Sequence, residues 1–162
     1  MRVLVLADTH VRDDLSPIPE MVWTEAKRAD VILHAGDVVT ADLLEQLGKC
    51  APVRAVLGNN DVALDGELPP TATLELDGVN VALIHDSGAT VGRERRLYRR
   101  FPDADLVIYG HSHQPDDRVG VGHQRIFNPG SCTQRRRASF RSYGIVELSA
   151  GRVREHQVVE IT

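Results

Sequence analysis

Val3-Leu4-Val5-Leu6-Ala7-Asp8-Thr9-His10 decides how the chain is read. An unbroken apolar run, β-branched in part, suits a strand covered on both faces. The run is too short for a membrane span or a signal-peptide core, and it ends in a carboxylate and an imidazole two positions apart. The same pattern recurs further on. Val31-Ile32-Leu33-His34-Ala35 ends in Gly36-Asp37, and the strand expected over 53–57 ends in Gly58-Asn59-Asn60-Asp61. Helices are expected over about 20–28 and 41–49. Strand, helix, strand, helix, strand describes a parallel sheet with crossover helices.

The second half follows another pattern. Runs over 71–76 and 79–84 flank Asp77-Gly78, a two-residue hairpin signal. An arginine-rich helix is expected over 93–101. A strand over 106–109 then runs into Gly110-His111-Ser112-His113. The end of the chain reads as a meander over 125–127, 143–148 and 153–160, with Ala150-Gly151 turning the last two strands. The class is α/β, with a mixed sheet or two packed sheets. Residues 1–162 are expected to form one domain, because no repeat or low-complexity segment marks a boundary.

Composition narrows the function. Of 162 residues, 42% are hydrophobic and 26% charged, ordinary for a globular protein with its own core. A net charge of -4 and 4% aromatics provide neither an overall basic footprint nor stacking platforms, which argues against nucleic acid as a partner. Cys50 and Cys132 form no spaced ligand pair, so reduced thiols and a cytoplasmic location are expected, without membrane association.

Strand ends carry the chemistry. Asp8, His10, Asp37, Asn59, His85, His111 and His113 all follow expected strands, and open α/β sheets bind ligands beyond the carboxyl ends of their strands. Taken singly, Asp8 and His10 could cap a strand, and Gly36-Asp37 is a common turn. Together, carboxylate, imidazole and amide donors suit borderline divalent cations. Seven donors exceed what one tetrahedral ion needs and match two ions that share a carboxylate. Such a pair activates a water as hydroxide and neutralises charge on a phosphoryl group. His34, inside a strand, is expected to be a satisfied core histidine or one that supports the metal ligands from behind, and His123 and His156 to lie on the surface.

Asp8-Thr9-His10, Gly36-Asp37, Gly58-Asn59-Asn60-Asp61, His85 and Gly110-His111-Ser112-His113 resemble the calcineurin-like metallophosphoesterases. The short length and Asn128-Pro129-Gly130-Ser131 look like the small bacterial and archaeal phosphodiesterase branch. The resemblance implies a four-layer αββα sandwich of two mixed sheets flanked by helices. It also implies that Asp8, His10 and His113 hold one metal, that Asn59, His85 and His111 hold a second, and that Asp37 bridges them. Manganese is the first expectation, with iron, nickel or zinc as alternatives. The implied activity is hydrolysis of small phosphodiesters, with Asp37, Asn59, Asn60 and His85 at the reacting centre. The alternatives are a phosphomonoesterase and a non-catalytic protein-binding scaffold on the same fold.

Two residues depart from the family pattern. Many relatives have a histidine, thought to protonate the leaving group, where this chain has Asn60, and an asparagine cannot act as a general acid near neutral pH. Asp86 follows His85 where glycine is usual; it could add a ligand, orient His85 or repel an anion. Asn60 and, from the run Arg135-Arg136-Arg137, Arg135 are the expected contacts to a small phosphate-ester substrate. A homo-oligomer remains open.

Overall fold

The computed structural model describes all residues except 13 and 16. Two five-stranded mixed sheets face one another. The first is built from β1 (Arg2–Leu6), β2 (Val31–His34), β3 (Val53–Ala55), β9 (Arg141–Ser149) and β10 (Arg152–Ile161), in the order β10-β9-β1-β2-β3. The second contains β4 (Thr71–Leu76), β5 (Val79–Ile84), β6 (Leu106–Ile108), β7 (Asp116–Val119) and β8 (Arg125–Asn128), in the order β4-β5-β6-β8-β7. Helices α1 (Glu20–Ala26) and α2 (Ala41–Gly48) cover the outer face of the first sheet, and α3 (Arg93–Arg100) covers that of the second.

Strand alternation assigns each side chain to a layer. In β1, Leu4 and Leu6 join Val22, Leu43 and Leu47 beneath the helices, while Val3 and Val5 point between the sheets. The inter-sheet layer includes Leu33, Val81, Leu83, Ile108, Phe127 and Val146. On the far side, Ala82, Val107 and Ile126 pack against Leu97 and Phe101. Both faces of β1 are therefore buried, as its continuous apolar run requires. Gly144 makes the close sheet packing possible, since a Cβ there would lie 2.4 Å from the Phe127 ring.

The end of the chain is not a meander. β8 pairs parallel to β6 in the second sheet, whereas β9 crosses to the first sheet and pairs antiparallel with β1. Sheet membership is decided by which face the apolar residues can bury, and a local pattern does not carry that information. Two hairpin turns fall where expected: Asp77 and Gly78 have φ of 49° and 78°, and Ala150 and Gly151 have φ of 50° and 71°. β7 was not foreseen. Its sequence, Asp-Asp-Arg-Val, has no alternation, and it is an edge strand held by pairing to β8. No helix among the described residues is long and apolar enough to cross a membrane.

What positions the site is direction. β1, β2 and β3 run parallel, as do β5, β6 and β8. Their carboxyl ends deliver Asp8, Asp37, Asn59, His85, His111 and Asn128 to neighbouring loops. Backbone bonds tie those loops together: Asp8 N donates to Gly36 O at 2.9 Å, His10 N to Asp37 O at 2.9 Å, and Gly110 N to His85 O at 3.0 Å.

Candidate metal centre

All seven donors expected from the sequence meet at this edge, in two groups. In one, His10 Nε2 lies 3.2 Å from His113 Nε2, and His113 Nε2 lies 3.6 Å from Asp8 Oδ1. In the other, Asn59 Oδ1 lies 3.1 Å from His85 Nε2 and 2.9 Å from His111 Nδ1. Asp37 stands between them, its Oδ2 3.4 Å from His10 Nε2 and 3.5 Å from His85 Nε2. Asp8, His10 and His113 have donor atoms within 4.8 Å of one another, and so do Asp8, Asp37 and His85. Asp8, Asp37, His85 and His113 are buried, while Asn59 and His111 are exposed, so the cluster opens on their side.

The rings are aimed by their far nitrogens. His85 Nδ1 donates to Ala35 O at 2.7 Å, and His113 Nδ1 donates to Gln134 O at 2.8 Å. Each bond turns Nε2 toward the cluster, the usual arrangement for a metal-binding histidine. Five of the seven donors have left-handed backbone: Asp8, His10, Asp37, His111 and His113, with φ between 47° and 68°. Val39 has φ of 82°, costly for a β-branched residue. Strain concentrated in this way marks a site held in shape by its surroundings.

Asp61 does much of that holding. Its buried carboxylate accepts from Asp37 N at 2.9 Å, Gly58 N at 2.7 Å and Val39 N at 2.6 Å. It therefore fixes the loop after β2 to the loop after β3. Gly58 is required because a Cβ there would lie 2.1 Å from Asp37 N. On the other flank, Asn128 Nδ2 donates to Gly110 O at 3.1 Å and Ser112 Oγ at 3.2 Å, bracing the loop of His111 and His113. Ser131 Oγ donates to Asp8 O at 2.7 Å, and Thr133 Oγ1 donates to Thr9 O at 2.7 Å. Asp61 stood in a quoted motif, but nothing local revealed three backbone donors converging on it.

The electrostatics suit a cation. Burial pushes the Asp8 carboxyl up to about 7; His85 pulls it back and the Asp37 charge adds to the rise. Burial also opposes ionisation of Asp37, but hydrogen bonds from His85 and Asn60 outweigh it and hold that carboxyl well below the usual range. Burial lowers His113 to about 4 and also lowers His10. For His85, burial is overcome by Asp37 and Asp8, which raise it. Asp8 Oδ2 is buried and has no hydrogen-bond partner among the described residues. A buried carboxylate oxygen without a donor is costly, and a cation satisfies it. Carboxylate, imidazole and amide oxygen form a donor set that fits a borderline divalent ion.

Other sequence expectations fall into place or shift. Asn60 sits against Asp37, with its backbone N 2.8 Å from Oδ1 and its Nδ2 2.7 Å from Oδ2. Arg135 donates to Ser139 O at 3.4 Å, and the arginine beside the cluster is Arg136, whose Nη2 lies 3.4 Å from His10 Nε2. The φ of 47° at Arg136 turns the chain so that the second arginine of the run faces the cluster. Asp86 is exposed and accepts Gly88 N at 2.7 Å, a local loop bond. His34 is fully buried, with Nε2 3.0 Å from Thr9 Oγ1, but its Nδ1 has no partner among the described residues, so the ring is only half satisfied. His123 is exposed, but His156 is half-buried, its Nδ1 2.5 Å from Asp117 Oδ2, and links β10 to β7.

Comparison with known proteins gives the cluster its context. A protein of Methanothermobacter thermautotrophicus named "Probable metallophosphoesterase" is 37% identical over 135 residues, covering 82% of this chain and 78% of that one. A second protein so named, from Methanocaldococcus jannaschii, is 33% identical over 138 residues, covering 82% of this chain and 69% of that one. Among solved structures, Vps29 of Entamoeba histolytica complexed with zinc shares the fold with a TM-score of 0.77 at 24% identity, over 99% of each chain. The calcineurin-like phosphoesterase superfamily domain matches residues 1–151, from before Asp8 to beyond the loop that carries Arg136. With that match and these relatives, the chain belongs to the calcineurin-like phosphoesterase superfamily.

Proposed function

We propose that the protein is a metal-dependent phosphodiesterase that hydrolyses small phosphodiesters with two divalent cations. The observation that carries this reading is the position of Asp37, whose Oδ2 faces His10 Nε2 at 3.4 Å and His85 Nε2 at 3.5 Å. In this reading Asp8, His10 and His113 hold one cation, Asn59, His85 and His111 hold the other, and Asp37 is shared. Two such cations supply an acidified water and Lewis acidity toward phosphoryl oxygens.

The chain's own residues then have distinct tasks. Ala35 O and Gln134 O orient the imidazoles of His85 and His113. Arg136 bears a guanidinium that no salt bridge engages among the described residues, and it faces the cluster. A cation beside metal ligands is unfavourable until an anion lies between them, so Arg136 contacts the phosphate, in the role the sequence suggested for Arg135. Asn60 aligns Asp37 and donates to the substrate, but it cannot deliver a proton to a departing alkoxide. Substrates with good leaving groups are therefore preferred. Manganese is the cation this reading assigns first, with zinc, iron and nickel as alternatives, since carboxylate, imidazole and amide donors suit all four.

Seven competent donors around an unpartnered buried carboxylate oxygen favour catalysis over a non-catalytic scaffold on the same fold. The test is hydrolysis of a chromogenic aryl phosphodiester beside its monoester, using chelator-stripped protein with and without manganese. Manganese-restored turnover that favours the diester is expected. Preference for the monoester would make the protein a phosphatase, and no turnover despite metal binding would leave the scaffold.

A further inference from the structure

A second opening adjoins the donor cluster on its α3 side. It is a cavity of about 460 Å³ whose lining includes Thr90, Arg93, Ser112, Gln114, Asp116 and Arg118. Ser112 separates His111 from His113, so the cavity and the cluster share that loop as a wall.

Arg93 is the unusual member, a guanidinium at 8% exposure. It lies over the Tyr109 ring, 4.9 Å from its centre, and donates to Tyr109 Oη at 3.0 Å. A buried arginine is ordinarily met by a close, bidentate carboxylate. Here Asp116 Oδ2 is 3.4 Å away, and that oxygen already accepts the Tyr109 hydroxyl and Arg118 Nη2, the latter at 3.0 Å. The other contacts of Arg93 are long: Gly88 O at 3.5 Å and Thr90 Oγ1 at 3.4 Å. Neither Arg93 Nε nor Arg118 Nε has a partner among the described residues. Glu94, at 2.9 Å from Arg118 Nη1, is a second carboxylate in the cluster and is partly exposed.

The rest of the lining offers donors. Ser112 Oγ accepts from Gln114 N and Asn128 Nδ2, each at 3.2 Å, which leaves its own proton free to give. Thr90 adds a hydroxyl and Gln114 an amide. The lining contains no aromatic ring for stacking a base. Arg93, which beyond Tyr109 makes only long contacts to Asp116, Gly88 and Thr90, and Arg118, shared between Asp116 and Glu94, stand with two hydroxyls and an amide around the cavity. That donor set matches a tetrahedral oxyanion.

We propose that this cavity is an anion subsite that receives a second, non-scissile phosphate of the substrate, with Arg93 and Arg118 as its cationic contacts. The proposal rests on the phosphodiesterase reading and narrows it to diesters that carry a further phosphate.

Thymidine 5′-(p-nitrophenyl phosphate), with and without a 3′-phosphate, gives the test on manganese-loaded protein. The 3′-phosphorylated diester is expected to have the lower KM, and Arg118→Gln to reduce its advantage in kcat/KM by about tenfold. Arg93→Gln, checked for folding by circular dichroism, should act in the same direction. In parallel, inorganic phosphate is titrated into chelator-stripped protein by calorimetry. Binding to wild type that is lost in Arg118→Gln is expected, and it identifies the subsite even if neither diester turns over, in which case the phosphodiesterase reading alone fails. Phosphate binding lost in Arg118→Gln with no discrimination between the two diesters would mean a site for a free anion, overturning the substrate role. No metal-independent binding and no discrimination would overturn the subsite itself.

Discussion

Asn60 grips Asp37 twice, through its backbone N–H to Oδ1 at 2.8 Å and its side-chain amide to Oδ2 at 2.7 Å. The second bond reaches the carboxylate oxygen that faces both His10 and His85. An amide at this point steadies the shared carboxylate but brings no acid to the leaving group. Asn60→His should therefore raise turnover of alkyl diesters relative to aryl diesters by about tenfold or more, since general acid catalysis helps poor leaving groups most. The check is the dependence of kcat on leaving-group pKa in both proteins. An unchanged slope would deny that Asn60 occupies the proton-donor position.

Asp61 touches no expected metal ligand side chain, yet it binds the backbone of Asp37, Gly58 and Val39. Asp61→Asn turns one acceptor into a donor facing those N–H groups. A loss of about 2 kcal/mol in urea unfolding is expected, together with a roughly tenfold or larger loss in manganese affinity. Unaltered metal affinity would show that the strained loop after β2 holds its shape without this carboxylate.

Metal uptake should be coupled to protons. Without metal the Asp8 carboxyl is raised to about 7 by burial, so at pH 6 it carries a proton that a cation must displace. His85, also raised, contributes in the same direction, whereas His113 at about 4 is already neutral. Manganese affinity should therefore rise as pH climbs through 7, while Asp8 and His85 lose their protons. Calorimetry in buffers of different ionisation enthalpy should detect about one proton or more released at pH 6 and fewer as the pH is raised. Absence of release at pH 6 would mean that Asp8 is ionised in the metal-free site.

How much of this was written in the sequence differs from part to part. The donors were legible because each follows an apolar run, and a strand's direction sends the residues after it to one edge of a sheet. The Asp77-Gly78 turn was legible because two successive left-handed residues suit that pair. Strand partners were not. Nothing in Arg125–Asn128 says that it lies beside β6, and β7 has four residues whose polarity gives no period. Arg136 rather than Arg135 reaches the cluster through one left-handed backbone angle, which an arginine run does not announce. Asp61 and His156 were missed for a related reason: two of the three Asp61 partners lie 22 and 24 residues away in the chain, and that of His156 lies 39 away.

His34 makes a prediction for the fold alone. It is fully buried, and burial lowers it to about 3 from 6.5. Between those values the unfolded chain takes up a proton that the folded chain refuses, so this contribution to stability is present above pH 6.5 and lost as pH falls toward 3. The slope is at most about 1.4 kcal/mol per pH unit. His34→Gln should be less stable than wild type at pH 7, with the gap narrowing on acidification. Titration of Asp8 acts on both proteins and cancels in the difference. A gap independent of pH would contradict a buried neutral imidazole.

The central claim is that Asp37 joins two cation sites, and counting bound manganese tests it most directly. Equilibrium dialysis at pH 7.5 should find two ions per wild-type chain. Asp37→Ala, still folded by circular dichroism, should lose at least one ion and its diesterase turnover together. A single ion in wild type, or turnover retained in Asp37→Ala, would contradict the account.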